Sequence, residues 1–442
     1  MLFHSTRNTA HRVGLSAAIA QGIAPDGGLY VPDSLPKFTP QDFVGLTELA
    51  DIAAKLIAPF AVGDALAESL TDICRDAFNF PAPLVELQGT PGSASVLELF
   101  HGPTSAFKDF GARFLAASLE RIRQSAGNKS AANTSSRKLS ILVATSGDTG
   151  GAVAAAFYRR PWVEVGVLYP KGLVSQRQAQ QLSCWGDNIH TFRVNGNFDE
   201  CQRMVKEAFM DAEFNKTHEL SSANSINVGR LLPQMVYYVR SSLELWRRNG
   251  QLANYIIPSG NLGNSMACIW ARAMGLPIGE IILATNANRT IPEFLDSGEW
   301  QPRQSIATLA SAMDVGNPSN MERLRALYPF AEIVKQISAI SIDDNAIRTR
   351  IKSDAHTLKQ IWCPHTATAA EVYWRLPPSK QRTHWVLVAT AHPAKFNDIV
   401  EPLIGTTVPV PPALAKLLLL PRHETDIEPQ LAALRVQLQG AV

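Results

Sequence analysis

Residues 139–151 read "LSILVATSGDTGG". The opening "LSILVAT" (139–145) has the apolar content of a buried strand, and "GGAVAAAFYRR" beyond the glycines has the pattern of a helix. The unit repeats downstream. "VEVGVLYP" (163–170) and "HTFRV" (190–194) are further strands, with "SQRQAQQLSCW" and "FDECQRMVKEAF" as the helices between and after them. Strand, helix, strand at this spacing predicts parallel βαβ units with right-handed crossovers, so this part of the chain is α/β.

Working outward, a strand at "VLELF" (96–100) precedes a loop and the helical run "KDFGARFLAASLERIRQ". The polar stretch "AGNKSAANTSSRK" (126–138) then reads as an exposed loop. On the other side, "NYIIPSG" (254–260), "EIILATN" (280–286) and "HWVLVAT" (384–390) are strands, with a helix over "NSMACIWARAMG" (264–275), a long helical pattern from about 343 to 360, and "ATAAEVYWRL" after it. Residues 1 to about 90 form helical stretches separated by turn-rich "APDGGLYVPDSLP". The predicted fold class is α/β: two open parallel-sheet domains with an additional, mainly helical N-terminal domain. The expected division is 1–90 for that domain, 91–130 and 250–442 for a large domain, and 131–249 for a small α/β domain. The chain returns to the first sheet after visiting the second.

Composition narrows the function classes. The 442 residues are 46% hydrophobic, and 41 Lys and Arg against 39 Asp and Glu leave a formal charge of +2, so neither a nucleic-acid nor a membrane-surface partner is expected. No run of 18 apolar residues occurs. Five cysteines without a C-x-x-C pair argue against a disulfide framework or a thiolate metal site. A cytoplasmic protein acting on a small molecule is the expectation, with no metal.

Ligands of open parallel sheets bind beyond the carboxyl ends of the strands, where loops lead into helix N-termini. Four segments fall there. "ATSGDTGG" (144–151) offers hydroxyls and backbone N–H groups to a carboxylate or phosphate, though taken alone it reads equally well as a tight turn with Asp148 as N-cap. "PSGNLGNS" (258–265) outlines a phosphate cradle but matches neither the dinucleotide nor the nucleoside-triphosphate fingerprint. "NSINVGR" (224–230) sets Ser225 and Arg230 across a helix start, either as a second anion site or as a capped helix with a surface arginine. In "HGPTSAFKDF" (101–110), Lys108 lies between two phenylalanines. An ammonium there either pairs with Asp109 or loses its proton, and a desolvated lysine is the nucleophile that condenses with a carbonyl. A lysine, a phosphate cradle and a separate anion site together point to pyridoxal phosphate. His101, His365 and His392 sit inside such segments without ligand spacing and are expected to be structural.

In order along the chain, "HGPTSAFKDF", "ATSGDTGG", "SSANSINVGR", "PSGNLGN", "SAMDVGNPSNMER", "CPHTATAAE" and "ATAHPAKF" resemble the signature segments of the threonine synthase family, pyridoxal-phosphate enzymes of the tryptophan-synthase β fold. "STRNTAHRV" and "APDGGLYVP" resemble that family's N-terminal domain, so the likeness spans nearly the whole chain.

The resemblance implies a conversion of O-phospho-L-homoserine and water to L-threonine and phosphate. It implies that Lys108 holds pyridoxal 5'-phosphate as a Schiff base and shuttles protons among the substrate carbons. Gly260, Asn261, Leu262, Gly263 and Asn264 would cradle the cofactor phosphate, and Thr390 would face its ring nitrogen. Ser146, Gly147, Asp148 and Thr149 would surround the substrate carboxylate and the cofactor's ring hydroxyl. Ser225 and Arg230, with Asn224 and Asn227 nearby, would grip the substrate phosphate. Two departures stand out: Arg289 in "NANRT" replaces the family's usual acid, and the loop at 126–138 is long. The alternative chemistry is a phosphohomoserine lyase or a serine/threonine dehydratase of the same fold, and a monomer or homodimer is expected.

Overall fold

The computed structural model describes residues 1–129, 138–217 and 219–439. Of the loop read at 126–138, residues 126–129 continue the preceding helix and 130–137 lie outside the described residues. The N-terminal region carries β1 (Phe3–Ser5), β2 (Arg12–Val13) and β3 (Tyr30–Pro32), paired antiparallel in the order β2-β1-β3. Helices at Leu15–Gln21, Leu49–Ile57 and Leu70–Ala77 complete it. The region is thus helical as expected, but with a small sheet that the sequence reading does not contain.

The next strands are β4 (Leu84–Glu86), β5 (Ala94–Glu98), β6 (Leu139–Ala144), β7 (Val163–Pro170), β8 (Ile189–Val194) and β9 (Glu219–Ser221). They are followed by β10 (Ala253–Pro258), β11 (Ile278–Thr285), β12 (Ser338–Ser341), β13 (Trp385–Ala389) and β14 (Glu424–Ile427). One sheet has six strands in the order β12-β11-β10-β13-β5-β4, parallel except for the antiparallel edge strand β4. The other has five, in the order β14-β8-β7-β6-β9, all parallel. Every residue of β6 is buried, as a strand covered by helices on both faces requires.

The chain does return to the first sheet after building the second. It then crosses back once more: β14 pairs with β8 although residues 250–442 read as one unit in the sequence. "ETDI" escapes a search for apolar strands because ion pairs hold it. Arg193 contacts both Glu424 and Asp426, Lys171 lies 2.9 Å from Asp426, and the Tyr169 hydroxyl donates to Glu424 at 2.6 Å. The largest apolar cluster joins the N-terminal helices to the helix Lys108–Lys129 and to both sheets, so the site loops stand on one continuous support.

Candidate active site

Five strands end at the same place. β5 leads to Lys108, the first residue of its helix; β6 leads to the helix Asp148–Phe157, and β10 to the helix Gly263–Ala273. β9 leads to the turn Val228–Leu231, and β13 ends immediately before Thr390. The Phe107 N–H donates to the Thr390 carbonyl at 2.9 Å and the His392 N–H to the Ser105 carbonyl at 3.0 Å, so the lysine loop is stitched to the end of β13.

Lys108 is half-buried, and its Nζ donates to the Thr149 hydroxyl at 2.7 Å. It does not pair with its neighbour: the Asp109 carboxylate accepts from the Thr104 backbone N–H at 2.9 Å and the Thr104 hydroxyl at 2.7 Å. Burial pushes the amine down to about 8, reinforced by the Arg230 and Lys395 charges and opposed by Asp148. Its position at a helix N-terminus, the positive end of the dipole, acts in the same direction.

Asp148 is buried and ion-paired to Lys395 at 2.7 Å, and its Oδ1 also accepts from Gln178 at 3.2 Å. Burial alone would raise this carboxyl; Lys395, then Lys108 and His365, hold it at about 2. Gly147 has φ 137°, and a side chain there would collide with Gln178 at 2.4 Å. The Thr145 hydroxyl accepts from the N–H groups of Gly147 and Gly150 at 3.0 and 2.9 Å, which sets the shape of the loop carrying Ser146 and Thr149.

The loop after β10 is equally constrained. A Cβ on Gly260 would lie 2.7 Å from the Met313 Cα, and Leu262 adopts a left-handed conformation with φ 58°. Asn264 accepts from the hydroxyls of Tyr237 and Tyr238 at 2.5 and 2.8 Å, while its buried Nδ2 has no partner among the described residues. Asn261 joins the cradle to the next loop: its Nδ2 donates to the Ser225 hydroxyl at 2.7 Å.

Arg230 is 2% exposed; its guanidinium donates to the Ala223 carbonyl and its Nε has no partner among the described residues. Burial lowers it to about 10, with Asp109 opposing. Gly111 makes room for it, since a Cβ there would stand 2.9 Å from the Arg230 Nε. Asn224 and Ser225 are half-buried at the same edge. The Asn227 side chain is otherwise engaged: its Nδ2 donates to the Ile19 and Ser222 carbonyls at 2.9 and 3.2 Å, and its Oδ1 caps Gly229 at 2.9 Å. Asn227 therefore braces the loop.

Thr390 is buried, with its N–H held by the Thr366 hydroxyl at 3.3 Å. The histidines bond to their surroundings: His101 to Glu98 at 2.7 Å, His365 as acceptor from the Ala312 N–H at 3.0 Å, and His392 as acceptor from Ala394 at 3.2 Å. Asp314 accepts from Asn286 and Thr308, each at 2.7 Å, so the "NAN" segment positions the Met313 turn. Arg289 is exposed and lies 3.9 Å from Glu293.

The sequence reading missed two residues that the structure brings to this site. Lys395 lies in the quoted "AHPAKF", but its pairing with Asp148 crosses between the sheets. Arg323 is buried with carbonyls and an amide as hydrogen-bond partners: Tyr30 at 3.1 Å, Ile226 at 2.6 Å and Asn320 at 2.6 Å. Buried cations facing carbonyls, an orphaned amide donor on Asn264 and a glycine loop with no room for a side chain suit phosphate ligands. The half-buried amine of Lys108 suits an aldehyde.

Comparison with known proteins agrees. Residues 77–390 match the model for pyridoxal-phosphate dependent enzymes, residues 2–78 that for the threonine synthase N terminus and residues 366–437 that for the threonine synthase C-terminal region. The threonine synthase of Escherichia coli (strain K12) is 37% identical over 440 residues, covering 98% of both chains. That of Saccharomyces cerevisiae is 32% identical, covering 90% of this chain and 88% of its own. The structure of pyridoxal-phosphate-bound threonine synthase from Brucella melitensis superposes with a TM-score of 0.89 at 32% identity, covering 100% of this chain and 99% of that one. Glycine loops, buried cations and full-length likeness thus converge on one conclusion: the chain belongs to the threonine synthase family of pyridoxal-phosphate-dependent enzymes.

Proposed function

We propose that this chain converts O-phospho-L-homoserine and water to L-threonine and phosphate. The observation that carries the reading is the pair of separate loops suited to anions, the glycine loop at Gly260–Asn264 with its unpaired Asn264 amide and the loop Ser225–Arg230 with its buried guanidinium, joined through Asn261 and flanking one desolvated amine. A dehydratase acting on an unphosphorylated amino acid needs only the first.

Pyridoxal phosphate, when bound, supplies an electron sink that acidifies the substrate carbon next to the amine. The residues do the rest. Backbone N–H groups and Asn264 Nδ2 would hold the cofactor phosphate, and the buried Thr390 hydroxyl would serve the ring nitrogen. A neutral hydroxyl there leaves that nitrogen less firmly protonated than a carboxylate would. Ser146, Gly147 and Thr149 receive the substrate carboxylate at a helix N-terminus. The Asp148 carboxylate, engaged with Lys395, sets the charge of that end of the site. Ser225 and Arg230, with Asn224, grip the substrate phosphate, while Asn227 and Arg323 hold the backbone of that loop.

Lys108 Nζ takes protons from the α- and β-carbons as the γ-oxygen leaves with the phosphate, and returns protons to the γ- and α-carbons as water adds its hydroxyl at the β-carbon; such transfers are worth ~10² to 10⁴ in rate. The chain works in the cytoplasm as a monomer or homodimer. It divides into 1–90, 91–130 with 250–442, and 131–249, the strand Glu424–Ile427 lodging in the sheet of the small unit. The test is product partition: O-phosphohomoserine should yield threonine and phosphate in equal amounts, and 2-oxobutanoate in place of threonine would favour the lyase.

A further inference from the structure

Two amines, the buried Lys395 and the half-buried Lys108, lie near one carboxylate, that of Asp148. Lys395 Nζ lies 2.7 Å from Asp148 and donates to the Thr104 carbonyl at 2.8 Å, with both charged side chains shut away from water. Gln178 Nε2 adds a second contact, at 3.2 Å, to the same Asp148 oxygen. Lys108, which also feels the Asp148 charge, bonds instead to the neutral hydroxyl of Thr149. The other titratable groups acting on Lys108 or on its immediate neighbours are Arg230, His365 and, on its own helix, Asp109 and Arg113, the last of which donates to the Asp76 carbonyl. Asp109 is bound to Thr104, and the His365 ring accepts from Ala312, so neither supplies a carboxylate or a competing donor to Lys108.

Lys395 also ties three parts of the chain together. It reaches the lysine loop at Thr104 and the helix of the second sheet at Asp148. The backbone around it accepts from Ser175 at 2.9 Å and from Arg177 at 2.6 Å, both from the helix region that follows β7. A carboxylate fixed this firmly cannot turn toward Lys108.

We propose that Lys395 is a positioning residue that reserves Asp148 for itself and so leaves Lys108 free to react as a neutral amine. This rests on the reading of Lys108 as the lysine that captures pyridoxal phosphate, its nitrogen bonding the aldehyde carbon while the carbonyl oxygen leaves as water. Without the Lys395 charge, Asp148 turns to the remaining amine, and an ion pair keeps that amine protonated. Removing Asp148 does the opposite, because Lys108 loses its attracting charge.

The experiment follows the rate at which the full-length protein, freed of cofactor and resupplied with pyridoxal phosphate, captures it on Lys108 across pH. Borohydride trapping and mass analysis of the peptide give the readout. The native protein should show a midpoint near 8. Lys395→Gln should move it up by about one pH unit, and Lys395→Arg should restore it. Asp148→Asn should move it down. An unchanged or lower midpoint in Lys395→Gln, including slower capture with no shift, overturns the proposal. If that variant does not fold, Asp148→Asn decides, and a midpoint that stays or rises overturns it. Trapping at another residue in the native protein would instead overturn the functional reading, which separates the two failures.

Discussion

Met313 stands over Gly260 so closely that a Cβ at position 260 would lie 2.7 Å from its Cα. The contact is between backbones, so no side-chain rotation relieves it. Gly260→Ala must push the cradle and the Met313 turn apart, at a cost of about 1–3 kcal/mol in stability. Pyridoxal phosphate affinity should fall by roughly 10-fold or more, since each 1.4 kcal/mol of misplaced contact is tenfold. Equilibrium titration of the cofactor's visible absorbance, with denaturant unfolding alongside, checks both numbers.

Lys108→Ala should leave a folded protein that neither turns yellow nor retains pyridoxal phosphate after borohydride and denaturation. The loss of both the anchoring amine and the proton carrier should lower kcat by ~10⁴-fold or more. Thermal stability should hold or rise, because a desolvated amine is removed from the interior. Retention of cofactor on another residue would place the reactive amine elsewhere.

Gly111→Ala tests the phosphate grip without touching a charged group. The new methyl would stand 2.9 Å from both the Nε and the carbonyl oxygen of Arg230, displacing the guanidinium. KM for O-phosphohomoserine should rise roughly 10-fold with a smaller change in kcat, the pattern of lost ground-state binding. Arg230→Lys should behave similarly, since an ammonium lacks the forked donors. Steady-state kinetics with pyridoxal phosphate saturating is the measurement.

The Asp148–Lys395 pair sets a pH dependence of stability. The Asp148 carboxyl is held at about 2, below its ordinary 3.8, so its contribution is present above pH 4 and is lost as pH falls from 4 to 2. The size follows from the shift and is about 2 kcal/mol. Asp148→Asn should therefore be less stable than the native protein at pH 6, and that gap should narrow by about 2 kcal/mol at pH 2. Denaturant midpoints at both pH values test this; parallel curves would remove Asp148 from the account.

Much of the fold was legible because buried parallel strands are continuous apolar runs: "VEVGVLYP" is β7 residue for residue. The site segments were legible because glycines and hydroxyls between such a run and a helix have few structural uses. β14 was not, being a polar edge strand held by Arg193 and Lys171, residues more than 200 positions away. Lys395 and Arg323 were hidden for a related reason. Their partners come from other elements, and no spacing along the chain reveals which buried cation meets which carboxylate. Asn227 shows the reverse: its type and place suited a ligand, but a helix start and the Ile19 carbonyl engage its amide.

The most direct measurement of the central claim is the fate of solvent oxygen. With O-phosphohomoserine turned over in water enriched in oxygen-18, threonine should carry one heavy oxygen in its hydroxyl and phosphate none, because the carbon–oxygen bond breaks and water adds at the neighbouring carbon. Heavy oxygen in the phosphate, or a keto acid in place of threonine, would contradict it.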